Sequence, residues 1–272
     1  MKKLVVSVFL FLIAAASFAQ KNTGRMIIPE ANLEFERNSD KTSVTITGFK
    51  YSSYSENKKF DGRVIEIPSK IQGLPVTTIG LGEYGYMGAF QDKGYNISGL
   101  WIPDSVKTIG VSSSENGVFN NSSFGSIRLP DGLKTITNRT FVYCSAKSIN
   151  IPSSVTRIGG GAFYGCSIES VTIPKGCTIV GSDSFGFACF GRSGLKTINF
   201  PAGRVYFEAS PLRVYYGETQ GGIFTDCNSL TNIPFQKVLR QYIDPNLISK
   251  TILSRTIFPV KSFQKILQHR TY

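Results

Sequence analysis

The chain repeats a short pattern in which two apolar residues flank a third residue and a proline follows. One copy is Ile149-Asn150-Ile151-Pro152, and the next is Val171-Thr172-Ile173-Pro174. An alternating triplet predicts a short strand with one buried face, and the proline ends its pairing because proline lacks an amide hydrogen. The other copies end at Pro68, Pro103, Pro130 and Pro201, with a degenerate copy ending at Pro234.

Each copy continues in the same way after its proline. In the unit of Pro152, Val155 comes three residues later, followed by Ile158-Gly159 and then Ala162-Phe163. One such unit cannot bury its own apolar face, so units must stack, with strands about 4.8 Å apart and equivalent side chains in ladders. The pattern predicts a right-handed repeat solenoid of short parallel strands with irregular or short helical return segments.

These units resemble the BspA-type leucine-rich repeat. The resemblance rests on residues 151–174, and residues 44–49 with 67–80 are similar to the usual opening of such proteins. It covers about residues 43–234. The resemblance implies a leucine-rich-repeat fold and a bacterial exported or surface protein associated with adhesion to host proteins or other cells. The family has no shared catalytic residues, so the resemblance assigns none.

Residues 1–19 fit a secretory signal peptide. Lys2 and Lys3 precede an apolar run of 16 residues, from Leu4 to Ala19, and Ser17 and Ala19 are small residues suited to cleavage. The alternative is a membrane anchor, although a span takes about 20 residues. We therefore expect a secreted or cell-surface, extracytoplasmic protein with no transmembrane segment after signal cleavage.

The remaining chain divides into three predicted parts. Residues 20–63 form an N-terminal cap with a β-hairpin, and residues 64–234 carry the repeats. Residues 235–272 are predicted to be a helical, basic and amphipathic segment, with a net charge of +6 out of +12 for the chain. This segment either caps the open end of the solenoid or binds an anionic surface polymer or membrane.

The five cysteines follow the repeat. Cys144, Cys166 and Cys227 each come three residues after a repeat phenylalanine, and Cys189 comes four residues after Phe185. We expect one equivalent buried position in successive units, where a thiol packs as a small apolar group. A disulfide between Cys144 and Cys166 is the alternative, since adjacent units bring their Cα atoms close enough.

The chain offers little for catalysis. Its single histidine, His269, lies four residues from the C-terminus, and its carboxylates recur at no fixed spacing. Gly159–Gly161 coincide with a repeat turn, and no Gly-Lys-Ser/Thr accompanies them as in a phosphate loop. We expect no enzyme activity, no cofactor and no metal. Modules that stack nucleic-acid bases do not occur, so no nucleic-acid partner is expected.

Candidate binding residues follow from the strand alternation and from two insertions. The middle residue of each triplet points outward, which places Trp101 beside Arg128, two residue types enriched at interface hot spots. The insertions Leu81–Asn96 and Ala202–Gly222 carry further aromatics, the second with a predicted hairpin in which residues 205–207 pair with 212–216. The predicted ligand-binding residues are Trp101, Arg128, Asn150, Thr172, Tyr84, Tyr86, Tyr206 and Tyr215.

These residues have a structural alternative. The insertion aromatics could pack locally over the core, and Trp101 could pack beneath the first insertion. Taken together, the sequence predicts an exported, non-catalytic binding protein whose partner is a protein or glycan on host or neighbouring cells. The alternative is a structural cell-envelope protein held to an anionic polymer or membrane by residues 235–272.

Overall fold

The chain folds into short strands stacked unit upon unit. The computed structural model describes residues 24–50, 59–80, 88–94, 96–110, 117–183, 186–200, 205–208, 214–215, 218–219, 223–224 and 226–230. A 3-10 helix spans Glu30–Asn32. In chain order the strands are β1 Met26–Ile27, β2 Leu33–Arg37, β3 Val44–Phe49, β4 Val64–Glu66, β5 Lys70–Ile71, β6 Leu74–Ile79, β7 Gly99–Trp101, β8 Thr108–Ile109, β9 Ser126–Arg128, β10 Thr135–Ile136, β11 Ser148–Asn150, β12 Arg157–Ile158, β13 Ser170–Thr172, β14 Thr178–Val180, β15 Thr197–Asn199, β16 Tyr206–Glu208, β17 Val214–Tyr215 and β18 Glu218–Thr219.

The triplet strands of successive units form the first sheet. Its order is β1-β4-β7-β9-β11, all pairs parallel, and β13 and β15 pair in parallel beside it. Each three-residue strand begins one residue before its triplet, so the central strand residue is the first apolar residue of the triplet and points inward. Ile127 and Ile198 illustrate this by being almost fully buried. Leucine-rich-repeat stacking of parallel strands is therefore confirmed as the architecture of the repeats.

The N-terminal strands β2 and β3 pair antiparallel and form the predicted hairpin. β3 then pairs in parallel with β6, and β6 with β8, so the hairpin covers one end of the repeat array. Val44, Ile46 and Phe49 of this hairpin are buried and join the same core as the repeats. The exact boundaries of the three predicted parts stay predictions.

A second parallel sheet lies where the sequence predicts only turns. It has the order β10-β12-β14-β16. Each of its first three strands contributes one buried isoleucine, Ile136, Ile158 or Ile179, with at most 1% exposed. These strands are two or three residues long, too short for an alternating pattern to be visible in the sequence.

A ladder of phenylalanine rings fills the core beside the return segments. Successive ring centroids are 5.1–5.6 Å apart, and the planes of Phe163 and Phe190 differ by only 2°. The ladder aligns because each return segment donates backbone hydrogen bonds to the next, for example from Phe163 N to Cys189 O at 2.8 Å. Its members are Phe90, Phe119, Phe141, Phe163, Phe190 and Phe224.

The ladder corrects one cysteine assignment. Its member in the fifth unit is Phe190, so Cys189 directly precedes a ladder phenylalanine, and its predicted equivalence with Cys144 is wrong. The residue equivalent to Cys144 in that unit is Ser193. Phe185 and Phe190 both fit the repeat pattern, so the sequence alone is compatible with two alignments of this unit. The stacking of Phe190 on Phe163 selects one of them.

All five cysteines are free and buried. We expect the native protein to react with less than one equivalent of a thiol reagent at pH 8, because a buried neutral thiol is a poor nucleophile. After unfolding in guanidinium, all five should react. Recovery of three reactive thiols would contradict this expectation and would indicate a disulfide, with Cys144–Cys166 as the first pair to examine.

Burial also gives these thiols a pH dependence. It raises the pKa of Cys177 from 9.0 to about 12. The folded thiol therefore stays protonated where the unfolded thiol ionises, so its stabilising contribution is complete below pH 9 and falls as the pH rises towards 12. The Cys177→Val variant, which copies Val155 of the preceding unit, should show a shallower alkaline loss of stability in denaturant titrations.

Candidate functional site

The outward residues of the first sheet lie opposite one another in register. Trp101 pairs with Glu66 on one side and Arg128 on the other, and Arg128 pairs with Asn150. Thr172 on β13 follows beside β11. The structure therefore brings together four of the predicted site residues, Trp101, Arg128, Asn150 and Thr172, in one stripe across the sheet.

Trp101 is held by two arginines. The Cζ atom of Arg25 is 3.5 Å from the centre of the indole, and that of Arg128 is 4.6 Å from it. Arg25 also donates from Nε to Glu66 Oε2 at 2.8 Å. A cation over an aromatic face gains energy from the ring quadrupole. The indole is therefore a half-buried part of a built cluster, and it is less open to a partner than the sequence predicts.

Arg128 is similarly occupied. Its Nη1 donates to Ile102 O at 2.9 Å and lies 2.8 Å from Asp104 Oδ1, while its Nη2 lies 2.9 Å from Asp131 Oδ2. The hydrogen bond from Arg128 is the largest cause that holds the pKa of Asp104 below its usual value. The positive charge of Arg128 is thus compensated locally, so the residue orients Trp101 and the turns at the ends of the strands.

Beside this cluster the sheet face opens into a shallow depression of about 360 Å³. Its floor is the backbone over three buried side chains, Ile127, Ile149 and Val171. Small serines begin the three strands and leave the space above the floor open. The polar lining residues are Ser126, Arg128, Ser148, Asn150, Ser170 and Thr172.

The chemistry of this depression is that of neutral hydrogen bonding. Hydroxyl and amide groups both donate and accept, and they match peptide groups or sugar hydroxyls. Asn150 and Thr172 are exposed, so they are available to a partner. The residues that line the depression include no acid–base pair.

Two other predicted site residues, Tyr206 and Tyr215, lie on other sheets. Tyr206, 50% exposed, lies on β16 of the second sheet opposite Thr178. Tyr215 lies on β17, which pairs antiparallel with β18. Tyr84 and Tyr86 fall outside the described residues, as does the predicted helical segment 235–272.

The predicted hairpin of the second insertion is wrong. Residues 206–208 pair in parallel with β14, and β17 pairs with β18 at residues 218–219. The first segment extends the second sheet because β14 offers it an open edge. An alternating pattern fits either pairing, so the sequence could not distinguish them.

Two further properties concern only the described part of the chain. It contains no grouping of three or more His, Cys, Asp or Glu residues that could hold a metal ion. It also contains no helix with the length and apolar character needed to cross a membrane.

The stacked parallel strands, the aromatic ladder and the in-register outward stripe define a leucine-rich-repeat solenoid. Residues 112–212 match the family model of the BspA type leucine rich repeat region, with six copies. Residues 112–212 are thus similar to the BspA-type leucine-rich repeat, and the resemblance found in the sequence is confirmed. Proteins of this family are typically exported or at the bacterial surface, and leucine-rich-repeat families are generally non-catalytic scaffolds that bind proteins.

One solved structure shows the same fold, and a second is also similar to this chain. The T. pallidum leucine-rich-repeat protein TpLRR is 22% identical, with a TM-score of 0.51, and the match covers 75% of this chain and 80% of that one. A leucine-rich repeat protein from Bacteroides ovatus is 21% identical, with a TM-score of 0.45, and the match covers 79% of this chain and 52% of that one. No curated protein matches the chain.

Proposed function

We propose that this chain is an exported, non-catalytic binding protein that recognises a protein or glycan on host or neighbouring cells through the first sheet. One observation carries the proposal. Arg128 and Asn150 stand in register on β9 and β11, and Thr172 lies on the neighbouring strand β13, around one depression. A surface made of repeated, exposed hydrogen-bonding groups on a rigid scaffold suits an extended partner that contacts several units.

The arginine–tryptophan cluster supports this function indirectly. Because Arg25, Trp101 and Arg128 hold one another, they fix one side of the depression, and of the three only Arg128 lines it. Removing Trp101 and Arg128 would therefore disturb the scaffold as well as the surface. A test of binding therefore has to change the exposed residues of the stripe, Asn150 and Thr172.

We expect Asn150→Arg with Thr172→Arg to weaken binding at least about ten-fold, because two long side chains then fill the depression. Both positions are exposed, so the melting temperature should change little. The measurement is capture of purified protein on immobilised matrix proteins and on whole cells, at low and high salt.

The matched control is Ser145→Arg with Ser167→Arg. These serines are exposed, lie in the same two units and are also 22 residues apart, but they do not line the depression. Equal binding by both double variants would overturn the assignment of the surface. Capture that is abolished by high salt and is insensitive to both double variants would instead indicate the basic residues 235–272.

A further inference from the structure

The return turns present a second set of side chains, away from both sheets. Two residues after each ladder phenylalanine the backbone has a positive φ, and five of these six positions carry a side chain larger than hydrogen. Neighbouring turns are joined by backbone hydrogen bonds, such as Asn121 N to Val142 O and Tyr143 N to Tyr164 O, both 2.8 Å. The six residues are Asp92, Asn121, Tyr143, Gly165, Arg192 and Asp226.

A depression of about 390 Å³ opens at the first three of these turns. Its volume lies within the usual range of small-molecule sites, about 300–1,000 Å³. None of its lining residues belongs to a strand, so it is separate from the depression on the first sheet. Its side-chain lining consists of Gln91, Asp92, Asn120, Asn121, Arg139, Val142, Tyr143 and Phe187.

Tyr143 supplies a fixed aromatic surface in this depression. The ring packs against Gly165, where an added Cβ would lie 2.5 Å from Tyr143 Cδ1. Its edge meets Tyr164 at an angle of 80°, with the centroids 5.7 Å apart. Even so, Tyr143 is 48% exposed, one of the few large hydrophobic side chains so exposed in the described chain.

This exposed ring is kept despite a backbone cost. Tyr143 has φ of 53°, a conformation that bulky side chains rarely adopt and that glycine or asparagine adopts more easily. The equivalent positions in neighbouring units carry Asn121 and Gly165, which suit the turn better. Turn geometry alone therefore does not explain a tyrosine here.

Hydrogen-bonding groups stand beside the ring. Asn121 Nδ2 donates to Asp92 Oδ1 at 2.6 Å, which fixes both side chains. An amide has a second donor and an acceptor, and a carboxylate accepts several hydrogen bonds, so the pair retains capacity for a ligand. Gln91 and Asn120 add further amides to the rim.

The charges of the depression disfavour an anionic ligand. The guanidinium of Arg139 is paired with the buried carboxylate of Asp183. The exposed charge at the rim is the carboxylate of Asp92, which repels phosphate, sulfate and carboxylate groups. The depression therefore suits a neutral polar molecule with one apolar face.

We propose that this depression binds a neutral pyranose residue of a glycan. The apolar C–H face of the sugar lies on the ring of Tyr143, and its hydroxyls bond to Asn121, Asp92 and Asn120. A sugar ring combines an apolar face with a rim of donors and acceptors, which is the combination that these residues present. This site is independent of the surface assigned under the proposed function.

The test is binding of the full chain to an array of neutral oligosaccharides built from glucose, galactose, mannose and N-acetylglucosamine, with sulfated and sialylated glycans beside them. We expect retention on at least one neutral glycan. Tyr143→Asn should weaken that binding about ten-fold or more, a loss of about 1.4 kcal/mol or more. Its melting temperature should stay equal or rise, because asparagine tolerates the positive φ.

Two controls make the outcome decisive. Tyr206→Asn removes a tyrosine of similar exposure from the second sheet and should leave glycan binding unchanged. Arg192→Asn makes the same kind of change at an equivalent positive-φ turn outside the depression and should also leave glycan binding unchanged. The proposal is overturned if only anionic glycans bind, if no neutral glycan binds, or if Tyr143→Asn binds as well as the unmodified protein.

Discussion

Phe163→Ala is expected to lower the free energy of unfolding by about 3–5 kcal/mol. The side chain is fully buried, with the ring of Phe141 at 5.3 Å on one side and that of Phe190 at 5.1 Å on the other. The cavity left by the truncation cannot close easily, because backbone hydrogen bonds of 2.8 Å hold the neighbouring return segments at a fixed spacing. The cost should therefore lie near the upper end for a phenylalanine.

Guanidinium unfolding followed by far-ultraviolet circular dichroism measures this loss. Phe163→Leu keeps most of the volume and should cost less than about 1.5 kcal/mol. Tyr206→Ala, at an exposed position, should stay within about 0.5 kcal/mol of the unmodified protein. A loss below about 1 kcal/mol for Phe163→Ala would contradict a continuous ladder. A smaller dependence of the free energy of unfolding on denaturant concentration would show that the units on the two sides of residue 163 unfold separately.

The parts of the fold that the sequence predicts are those in which each unit repeats the same residue type. The first sheet and most of the phenylalanine ladder belong to this group, because stacking places equivalent residues next to one another. The second sheet was missed since each of its first three strands has a single buried residue, such as Ile158. The order of strand pairing in the second insertion was missed because its pattern fits two partners.

The site was predictable only in part, for a related reason. Strand alternation identifies which residues point outward, and the register confirms that Trp101, Arg128 and Asn150 are neighbours. The partners of those residues do not recur from unit to unit. Arg25 precedes the first repeat, so no repeating pattern includes it. The residue type at position 143 does not reveal that its φ is positive, so the sequence could not identify this feature either.

The second large loss of stability is expected from breaking a buried ion pair between two units of the solenoid. Arg139 and Asp183 form a salt bridge with side chains only 11% and 2% exposed. Asp183 also accepts from Phe187 N at 2.9 Å, and Arg139 lies over the ring of Phe187 with Cζ 4.4 Å from its centre. The pair passes over Gly161, where a Cβ would lie 3.3 Å from Asp183 Oδ2 and 3.4 Å from Arg139 Cγ.

The glycine triplet at residues 159–161 thus has a structural explanation. A Cβ at Gly160 would overlap the backbone of Ser182 and Asp183, so that residue has to be glycine for the units to approach. Gly161 has φ of 67° and leaves the path open for the Arg139 side chain. The triplet therefore positions an ion pair.

We expect Asp183→Ala to destabilise the protein by about 3–5 kcal/mol, because it leaves the buried guanidinium without its carboxylate and removes the acceptor for Phe187 N. The matched control is Asp226→Asn, which removes the charge from the Arg192–Asp226 pair at 3.3 Å, where the side chains are 59% and 53% exposed, and which suits the positive φ of this position. An exposed pair contributes about 0–1 kcal/mol, so this control should unfold almost as the unmodified protein does. Denaturant titration measures the stability lost in each variant at low and at high salt. High salt should reduce the loss caused by breaking the exposed pair, because it screens that pair, and should leave the loss in Asp183→Ala unchanged. Equal losses in both variants would show that burial of Arg139 does not set the energy of its ion pair.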